Sequence, residues 1–537
     1  MRFEIRSLKL CRTFAAATIA ACCLSGWAMA QQPAAPRAAA APAGTEAAPG
    51  AAAPAEIDVN GELEKGDTAL KAGDFQAALT AYTAAATVTP TSNEAVQAQL
   101  RAFIGRGQAL LGLKEFTSAR DEFQKIIAEI PNNVDALIGS GKAQLELGDA
   151  EKALKDFQAA VTAQSGNAEA QFGLGKTLVT LGQADAAIVP LTRAIEADPN
   201  NAEAFRLRAT AYAGVYKNKL AIDDLQQSIS LNPDDQESYY TLGMVYLRNE
   251  DFQNAVDQFG KAIDHFKPKA GQEDQPFLQG YMTASSAFIE LGKVAKDEAA
   301  RKAAYQGAFD LSEKALSQMD EKNPVFAQAR AAVLYSRGVA ERMLGDYGAA
   351  IRSFSQAIEL NPEMADAYFR RGICFHKLGE DKMAIADFQQ ASHLTDGDPR
   401  LNLWEGFTFA KLGDYNQAIR AYGDAIAASD RYTPAYANRA LAYMMLGEFE
   451  KAIADFNQAL RLNPSNADYY YKRGIAYEML KDYKRASESF AMAIEFHSKH
   501  ADAYRHMATA QQALGNTELA AQYRQKADEL APPKKAP

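Results

Sequence analysis

Residues 338–371 read GVAERMLGDYGAAIRSFSQAIELNPEMADAYFRR, and residues 372–405 read GICFHKLGEDKMAIADFQQASHLTDGDPRLNLWE. Both stretches are 34 residues long and begin with glycine. In both, an alanine stands twelve residues after that glycine and a phenylalanine sixteen residues after it. A fixed period with small and aromatic residues at constant offsets indicates a repeated supersecondary unit, so the chain is to be interpreted as a repeat array first.

The same pattern extends outward over most of the chain. The small residue recurs every 34 residues in two runs, at Gly107, Gly141, Gly175, Ala209 and Gly243, and at Gly338, Gly372, Gly406, Ala440, Gly474 and Ala508. A first unit begins at Gly66, which precedes Gly107 by 41 residues, so seven residues are inserted there. The period is therefore regular over five units and again over six.

Each unit is predicted to be a helix-turn-helix. The small residue shares a helix face with the positions four before and three after it, and the alanine shares one with the aromatic. Gly-Asp pairs such as Gly345-Asp346 end the first helix and begin the second. The residue 24 positions after the small residue is often proline, which ends the second helix, and among the units that depart from this, two have Asp396 and Asp430 there. Each unit can bury its apolar face only by stacking on its neighbours.

This pattern of small residue, aromatic, alanine, aromatic and proline resembles the tetratricopeptide repeat family, as a secreted or periplasmic bacterial type. The resemblance covers about residues 59 to 534. It implies an all-α fold, a right-handed superhelical solenoid of helix-turn-helix repeats in two arrays with an irregular joint.

The predicted organisation has five parts. Residues 1–30 are a signal peptide and 31–58 an Ala/Pro-rich disordered linker. Residues 59–269 are a first array of about six repeats, 270–330 an irregular joint and 331–534 a second array of about six. Within the joint, Gly292 is expected to stop a helix, and the second helix is expected to begin near Ala303.

The leader decides the predicted compartment. Four basic residues precede the apolar run 14–24, and Ala28-Met29-Ala30 follows it. This is typical of a secretory signal peptide cleaved after Ala30, which predicts a periplasmic or secreted protein without a transmembrane helix. Two alternatives remain open: Ile19-Ala20-Ala21-Cys22 resembles a lipobox with a lipid anchor at Cys22, or the leader stays uncleaved.

Charge and cysteine content narrow the class of partner. The formal net charge is -10, which disfavours nucleic acid. Residues 31–320 carry a net charge of -13 and residues 321–537 a net charge of zero, so the two halves should attract different surfaces. Cys374 is the one cysteine after the leader, and it is predicted to be a small packing residue rather than a reactive thiol.

The resemblance implies that the first helix of each repeat lines a concave groove. The groove positions are small or aliphatic in the first array, whereas the second array offers aromatic and cationic side chains that suit an extended peptide with acids and apolar anchors. The alternative is that these large residues only seal neighbouring helices. The candidate groove residues are Tyr335, Phe369, Arg370, Lys377, Trp404, Phe407, Lys411, Asn438, Tyr471 and Lys472.

Catalytic patterns are missing from the sequence. It contains no Gly-rich phosphate loop, no Gly-x-Ser-x-Gly elbow and no Cys-x-x-Cys pair, and His497, His500 and His506 lack metal-ligand spacing. The sequence therefore predicts a non-enzyme without cofactor or metal. The expected function is a protein-binding scaffold or adaptor of the cell envelope; the alternative is a non-catalytic assembly or regulatory subunit of an envelope export or wall-building enzyme complex.

Overall fold

The computed structural model describes residues 57–268, 276–395 and 397–531. Within these ranges the chain forms 26 α-helices, one short 3-10 helix at Pro324–Phe326 and no strand. The predicted all-α solenoid is confirmed. The predicted signal peptide, Cys22 and the Ala/Pro-rich segment up to residue 56 lie outside the described residues, as does Asp396.

The helices before residue 269 form six consecutive pairs, in which each first helix packs against the second helix that follows it. We refer to this region as the first array. Its helices are α1 (Val59–Ala72), α2 (Phe75–Ala86), α3 (Asn93–Gly112), α4 (Phe116–Glu129), α5 (Val134–Glu146), α6 (Ala150–Ala163), α7 (Ala168–Thr180), α8 (Ala184–Ala197), α9 (Ala202–Gly214), α10 (Asn218–Leu231), α11 (Gln236–Arg248) and α12 (Phe252–Asp264).

One longer pair follows, with α13 at Leu278–Val294 and α14 at Glu298–Ser317. The expectation that Gly292 stops the first helix of this pair is wrong. Gly292 lies inside α13, where a Cβ would stand 2.3 Å from the ring of Tyr305. The second helix also begins earlier than Ala303, because the Asp297 side chain accepts a hydrogen bond from the amide of Ala300 and caps α14.

Six further pairs form what we call the second array. Its helices are α15 (Ala327–Leu344), α16 (Tyr347–Leu360), α17 (Ala365–Leu378), α18 (Asp381–Leu394), α19 (Pro399–Lys411), α20 (Tyr415–Ala428), α21 (Thr433–Met445), α22 (Phe449–Leu462), α23 (Ala467–Met479), α24 (Tyr483–Phe496), α25 (Ala501–Ala513) and α26 (Thr517–Leu530). None of the helices in the described ranges is both long and apolar enough to cross a membrane.

The turn inside a unit follows from its Gly-Asp pair. Gly345 has φ 90° and closes α15 in the left-handed conformation that glycine adopts at least cost. The next residue, Asp346, accepts a hydrogen bond from the amide of Ala349 and caps α16. Lys114, Tyr216, Glu250 and Lys481 take the left-handed position in units that lack this glycine.

The core repeats with the sequence. The ring on the second helix packs against the small residue of the first helix, so that a Cβ on Gly372 would stand 2.7 Å from Phe388. The alanine of each second helix, such as Ala384, is completely buried. Cys374 is also completely buried, and burial raises the pKa of its thiol to about 11, as expected for a packing residue.

Candidate protein-binding groove

The first helices line the inner face of the solenoid. Successive first helices contact one another, as α1 contacts α3 and α3 contacts α5, whereas no two second helices of the described chain make contacts of similar extent. Helices that approach each other more closely lie on the inside of a curved stack. The concave surface is therefore built from first-helix side chains.

In three of the six units of the first array, the first helix carries no side chain where it meets the preceding unit. Gly105, Gly139 and Gly173 stand two residues before the small residue of these units, and the other three units have Glu64, Leu207 and Thr241 there. A Cβ on Gly139 would lie 2.3 Å from the ring of Phe123, which belongs to the preceding second helix. Each of these glycines thus seats its helix directly on the preceding ring.

In the second array, the same position carries a side chain. The six residues are Ser336, Arg370, Trp404, Asn438, Lys472 and His506. The indole of Trp404 lies 6.3 Å from the ring of Phe388, and the imidazole of His506 lies 5.6 Å from the ring of Phe490. These side chains stand above the rings that glycine covers in the first array.

Trp404 lies in an aromatic group that crosses two units. Its ring is 5.7 Å from His376 of the preceding unit and 5.9 Å from Phe407 on its own helix, both edge-on. Phe407 in turn meets Tyr422 edge-on at 6.0 Å. Trp404 and Phe407 are both partly buried, which leaves part of each ring open to a ligand.

Arg370 is held by its neighbours. Its Nε donates to the hydroxyl oxygen of Tyr335 at 2.5 Å, and the Tyr335 hydroxyl donates to Asp366 at 2.8 Å. Burial raises the pKa of Tyr335 to about 12, with a further contribution from Asp366. The guanidinium is 29% exposed and lies over the Tyr335 ring at 5.5 Å, so it is oriented but still accessible.

Lys411 belongs to a second cluster of polar side chains, which lies beside Trp404. Its Nζ donates to Asp381 at 2.9 Å and to the backbone oxygen of His376 at 2.9 Å. The His376 ring nitrogen Nδ1 lies 3.3 Å from the Asp381 carboxylate and 3.0 Å from the Thr408 hydroxyl. Burial lowers the pKa of His376, and Lys411 lowers it further.

Tyr471 and Lys472 lie in the next part of the groove. The Tyr471 ring is 4.5 Å from His500 and 5.6 Å from His506. Lys472 pairs with Asp468 on the same helix at 2.7 Å. No group of three potential metal ligands occurs in the described ranges, these histidines included.

The remaining candidates differ in exposure. Phe369 is 8% exposed, packs against Phe388 and contributes to a shallow cleft of roughly 210 Å³ with Asp398 and Arg400. Asn438 donates to the backbone oxygen of Pro434 at 2.7 Å. Lys377 is exposed and has no ion-pair partner among the residues described.

Sequence reasoning missed the acids that accompany the groove cations. Arg370, Lys411 and Lys472 each have an aspartate partner, namely Asp366, Asp381 and Asp468. A spacing of four residues along one helix signals two of these pairs, whereas the pair between Lys411 and Asp381 joins different helices and has no such signal. Neighbouring aspartates thus neutralise most of the positive charges of the groove, which is polar rather than strongly cationic.

Comparisons with known proteins concern the repeats. Tetratricopeptide repeat models match residues 63–134 and 335–399, 144–211, 225–257 and 442–481, which together are more than half of the chain. No curated protein sequence matches significantly.

Three solved structures illustrate the similarity, which extends to the repeat architecture alone. PilF of Pseudomonas aeruginosa is 17% identical, with 39% of this chain and 95% of that chain covered and a TM-score of 0.34. MamA of Desulfovibrio magneticus is 17% identical, with 32% and 97% covered and a TM-score of 0.30. The Cut9–Hcn1 hetero-tetramer structure gives 14% identity, 89% and 95% coverage and a TM-score of 0.31.

Proposed function

Because this chain belongs to the tetratricopeptide repeat proteins, we propose that it is a non-catalytic scaffold or adaptor that holds an extended segment of another protein in the groove of its second array. The supporting observation is the aromatic group around Trp404. This ring stands where three units of the first array have glycine, and the rings of His376 and Phe407 meet it edge-on. Rigid aromatic side chains of this kind commonly dominate the free energy of binding at interfaces.

The partner segment carries apolar anchors and acidic side chains. Trp404 and Phe407 are the proposed anchor contacts. The exposed ammonium of Lys377 attracts acids, whereas Arg370, Lys411 and Lys472 already have aspartate partners and therefore mainly orient the ligand. Their contribution falls as salt screens them, because exposed charge pairs act largely through the on-rate.

The proposed place of action is the cell envelope. A leader cleaved after Ala30 would leave the array behind a 28-residue linker, residues 31–58, that holds it away from the point of attachment or secretion. Intact mass of the purified protein tests this, because a chain beginning at Gln31 without lipid is expected. A lipidated Cys22 would instead make the protein an anchored scaffold.

The experiment begins with capture of the partner from an envelope extract and continues with titration of the identified segment. Trp404 is the only tryptophan among the described residues, so its fluorescence reports directly on the groove. We expect Trp404→Ala to weaken binding by at least ~2 kcal/mol, as for typical hot spots. Arg370→Glu should weaken it less, and more at low salt than at high salt.

Tyr216→Ala is the matched control, because this tyrosine is 81% exposed in the first array. Its affinity should equal that of the wild type. Circular dichroism should be unchanged in all three variants, since none of these side chains forms the contact between the two helices of a unit. Wild-type affinity for both groove variants would show that the partner binds another surface. A partner captured in a fixed ratio with an export or wall-building enzyme would favour the role of an assembly or regulatory subunit.

A further inference from the structure

A row of arginines runs along the array beside the groove. In six units an arginine stands one residue before the small residue and faces the second helix of its own unit. The six are Arg106, Arg208, Arg337, Arg371, Arg439 and Arg473. Sixteen residues after each arginine, a polar side chain on that second helix meets it.

In three of these units the partner is an aspartate held by two parallel hydrogen bonds. Arg208 contacts Asp224 at 2.7 and 2.8 Å, and Arg371 contacts Asp387 at 2.8 and 2.7 Å. Arg439 and Asp455 repeat this geometry at 2.7 and 2.8 Å. Such bidentate pairing is the strongest arrangement that a guanidinium makes with a carboxylate. The repeat thus has a standard place for one carboxylate.

Arg473 has the same place without the carboxylate. Its Nε donates to the Ser489 hydroxyl at 3.2 Å and its Nη1 donates to Asn457 at 2.7 Å. Arg106 also has an acid, Glu122, so Arg473 is the one member of the row with no carboxylate within 4.0 Å among the described residues.

The other unit that has a serine opposite the arginine shows which acids the Arg473 unit lacks. Arg337 likewise meets a serine, Ser353, but two acids compensate it: Glu313 lies 2.7 Å away and Glu341 lies 3.6 Å away. Arg473 is half-buried, its guanidinium lies 5.2 Å from the centre of the Tyr470 ring, and it has neither of these acids. Burial lowers its pKa and outweighs the attraction of the more distant Glu488. Ser489 is 1% exposed and carries a hydroxyl where aspartate carries a carboxylate. The unit therefore keeps a desolvated cation opposite a side chain that cannot neutralise it.

We propose that Arg473, Asn457 and Ser489 form a binding site for one carboxylate, supplied by an aspartate or glutamate of a partner protein or by a free organic acid. The carboxylate takes the place that Asp455 occupies one unit earlier and forms two hydrogen bonds with the guanidinium. Its three residues lie on α22, α23 and α24, and Arg473 and Asn457 are the two that are partly exposed. Its position on the second-helix side of α23 makes it independent of the groove proposed above.

The test uses hydrogen exchange of the full chain in sodium acetate and in sodium chloride at the same pH and ionic strength. When the acetate concentration equals the Kd, local opening of α23 and α24 should slow about twofold, because the ligand stabilises only the closed form. Helix α21 should not respond, since Asp455 already pairs with Arg439, whereas α22 carries Asn457 of the site and is therefore not used as the control. A blocked Gly-Glu-Gly peptide serves as the second probe.

Three variants make the result decisive. Ser489→Asp supplies the internal carboxylate and should abolish the response, as should Arg473→Gln. Asp455→Ser removes the carboxylate one unit earlier and should create a response in α21. A response to the peptide at lower concentration than to acetate identifies a protein side chain as the ligand, and the reverse identifies a free organic acid. No response to either probe in the wild type, or an equal response in Arg473→Gln, would overturn the proposal.

Discussion

The aromatic ring of the second helix has different neighbours in the two arrays. In the first array, Phe123 lies between two glycines, Gly107 of its own unit and Gly139 of the next. In the second array, Phe388 lies between Gly372 and the indole of Trp404. The ring and the glycine of its own unit are constant, and the residue that approaches from the next unit changes.

This difference separates packing between units from packing within a unit. First helices of successive units contact one another extensively from α1 to α9 and more sparsely from α15 onward. Glycine stands at the approaching position in three of the closely packed units, but Leu207 on α9 allows equally extensive contact. The large side chains at this position of the second array thus accompany sparser contact between repeats and are presented to a ligand.

The largest effect is expected where a substitution disrupts the contact between two units of the first array. Gly139→Leu places a branched side chain where even a Cβ would be 2.3 Å from Phe123, so the units must separate. We expect the free energy of local opening of α4 and α5 to fall by roughly 1–3 kcal/mol, as for overpacked cores. Hydrogen exchange measures this, and the loss should stay near the mutation because repeats contact only their neighbours.

The matched control is Asn438→Leu at the same position of the second array. The Asn438 side chain donates to the backbone of its own helix, and leucine has the same branched arrangement of side-chain heavy atoms. Its effect should stay within about 0.5 kcal/mol, as for ordinary surface substitutions. Equal losses in the two variants would show that the arrays do not differ at this position.

A smaller effect is expected from pH, because five of the six histidines lie in the second array. Burial and Lys411 lower the pKa of His376, so the unfolded chain takes up a proton before the folded one does. Stability is therefore lost as the pH falls from about 6.5 to the folded-state pKa, by about 1.4 kcal/mol for each unit of difference between the two values.

Hydrogen exchange at pH 7.5 and 6.0, corrected for intrinsic rates, should show this loss in α17 to α19 and little change in α3 to α8. His376→Gln should remove most of it from α17. The charged groups that face His376 are Asp381, Lys411 and Lys377. A loss of the same size in the first array would assign the effect to other groups.

The smallest expected effect is that of salt. In the first array, exposed ion pairs join successive first helices, as between Lys142 and Glu169 and between Lys176 and Glu203. Lys472 instead pairs within its own helix. Raising the salt concentration should weaken contact between units of the first array by less than about 1 kcal/mol per pair. Lys176→Gln should remove part of this dependence, whereas Lys472→Gln should leave it unchanged.

The repeating core could be predicted well from the sequence because one contact recurs in most units. The small residue has to accept the side chain sixteen positions later, which is usually a ring and is leucine at Leu191 and Leu225, and that requirement leaves a fixed spacing in the chain. The prediction failed at α13 and α14, because these helices are longer and the spacing between Gly292 and Tyr305 differs from the sixteen residues of the regular units.

The groove and the arginine row were harder to predict. Position along a helix indicates which side chains face inward, but it does not show that Asp381 neutralises Lys411, since the two residues lie on different helices. The pairs of the arginine row do have a constant spacing of sixteen residues. A search for charges at that spacing would have found them and the exception at Arg473.

The inner contacts also have a mechanical meaning. A coiled spring resists stretching where its successive turns adhere, and the first helices from α1 to α9 contact one another more extensively than those from α15 onward. Under a pulling force, the second array should lengthen before the first. A partner segment bound across several units of the second array would resist this lengthening. Tension on the chain and binding of the partner in the groove would therefore influence each other.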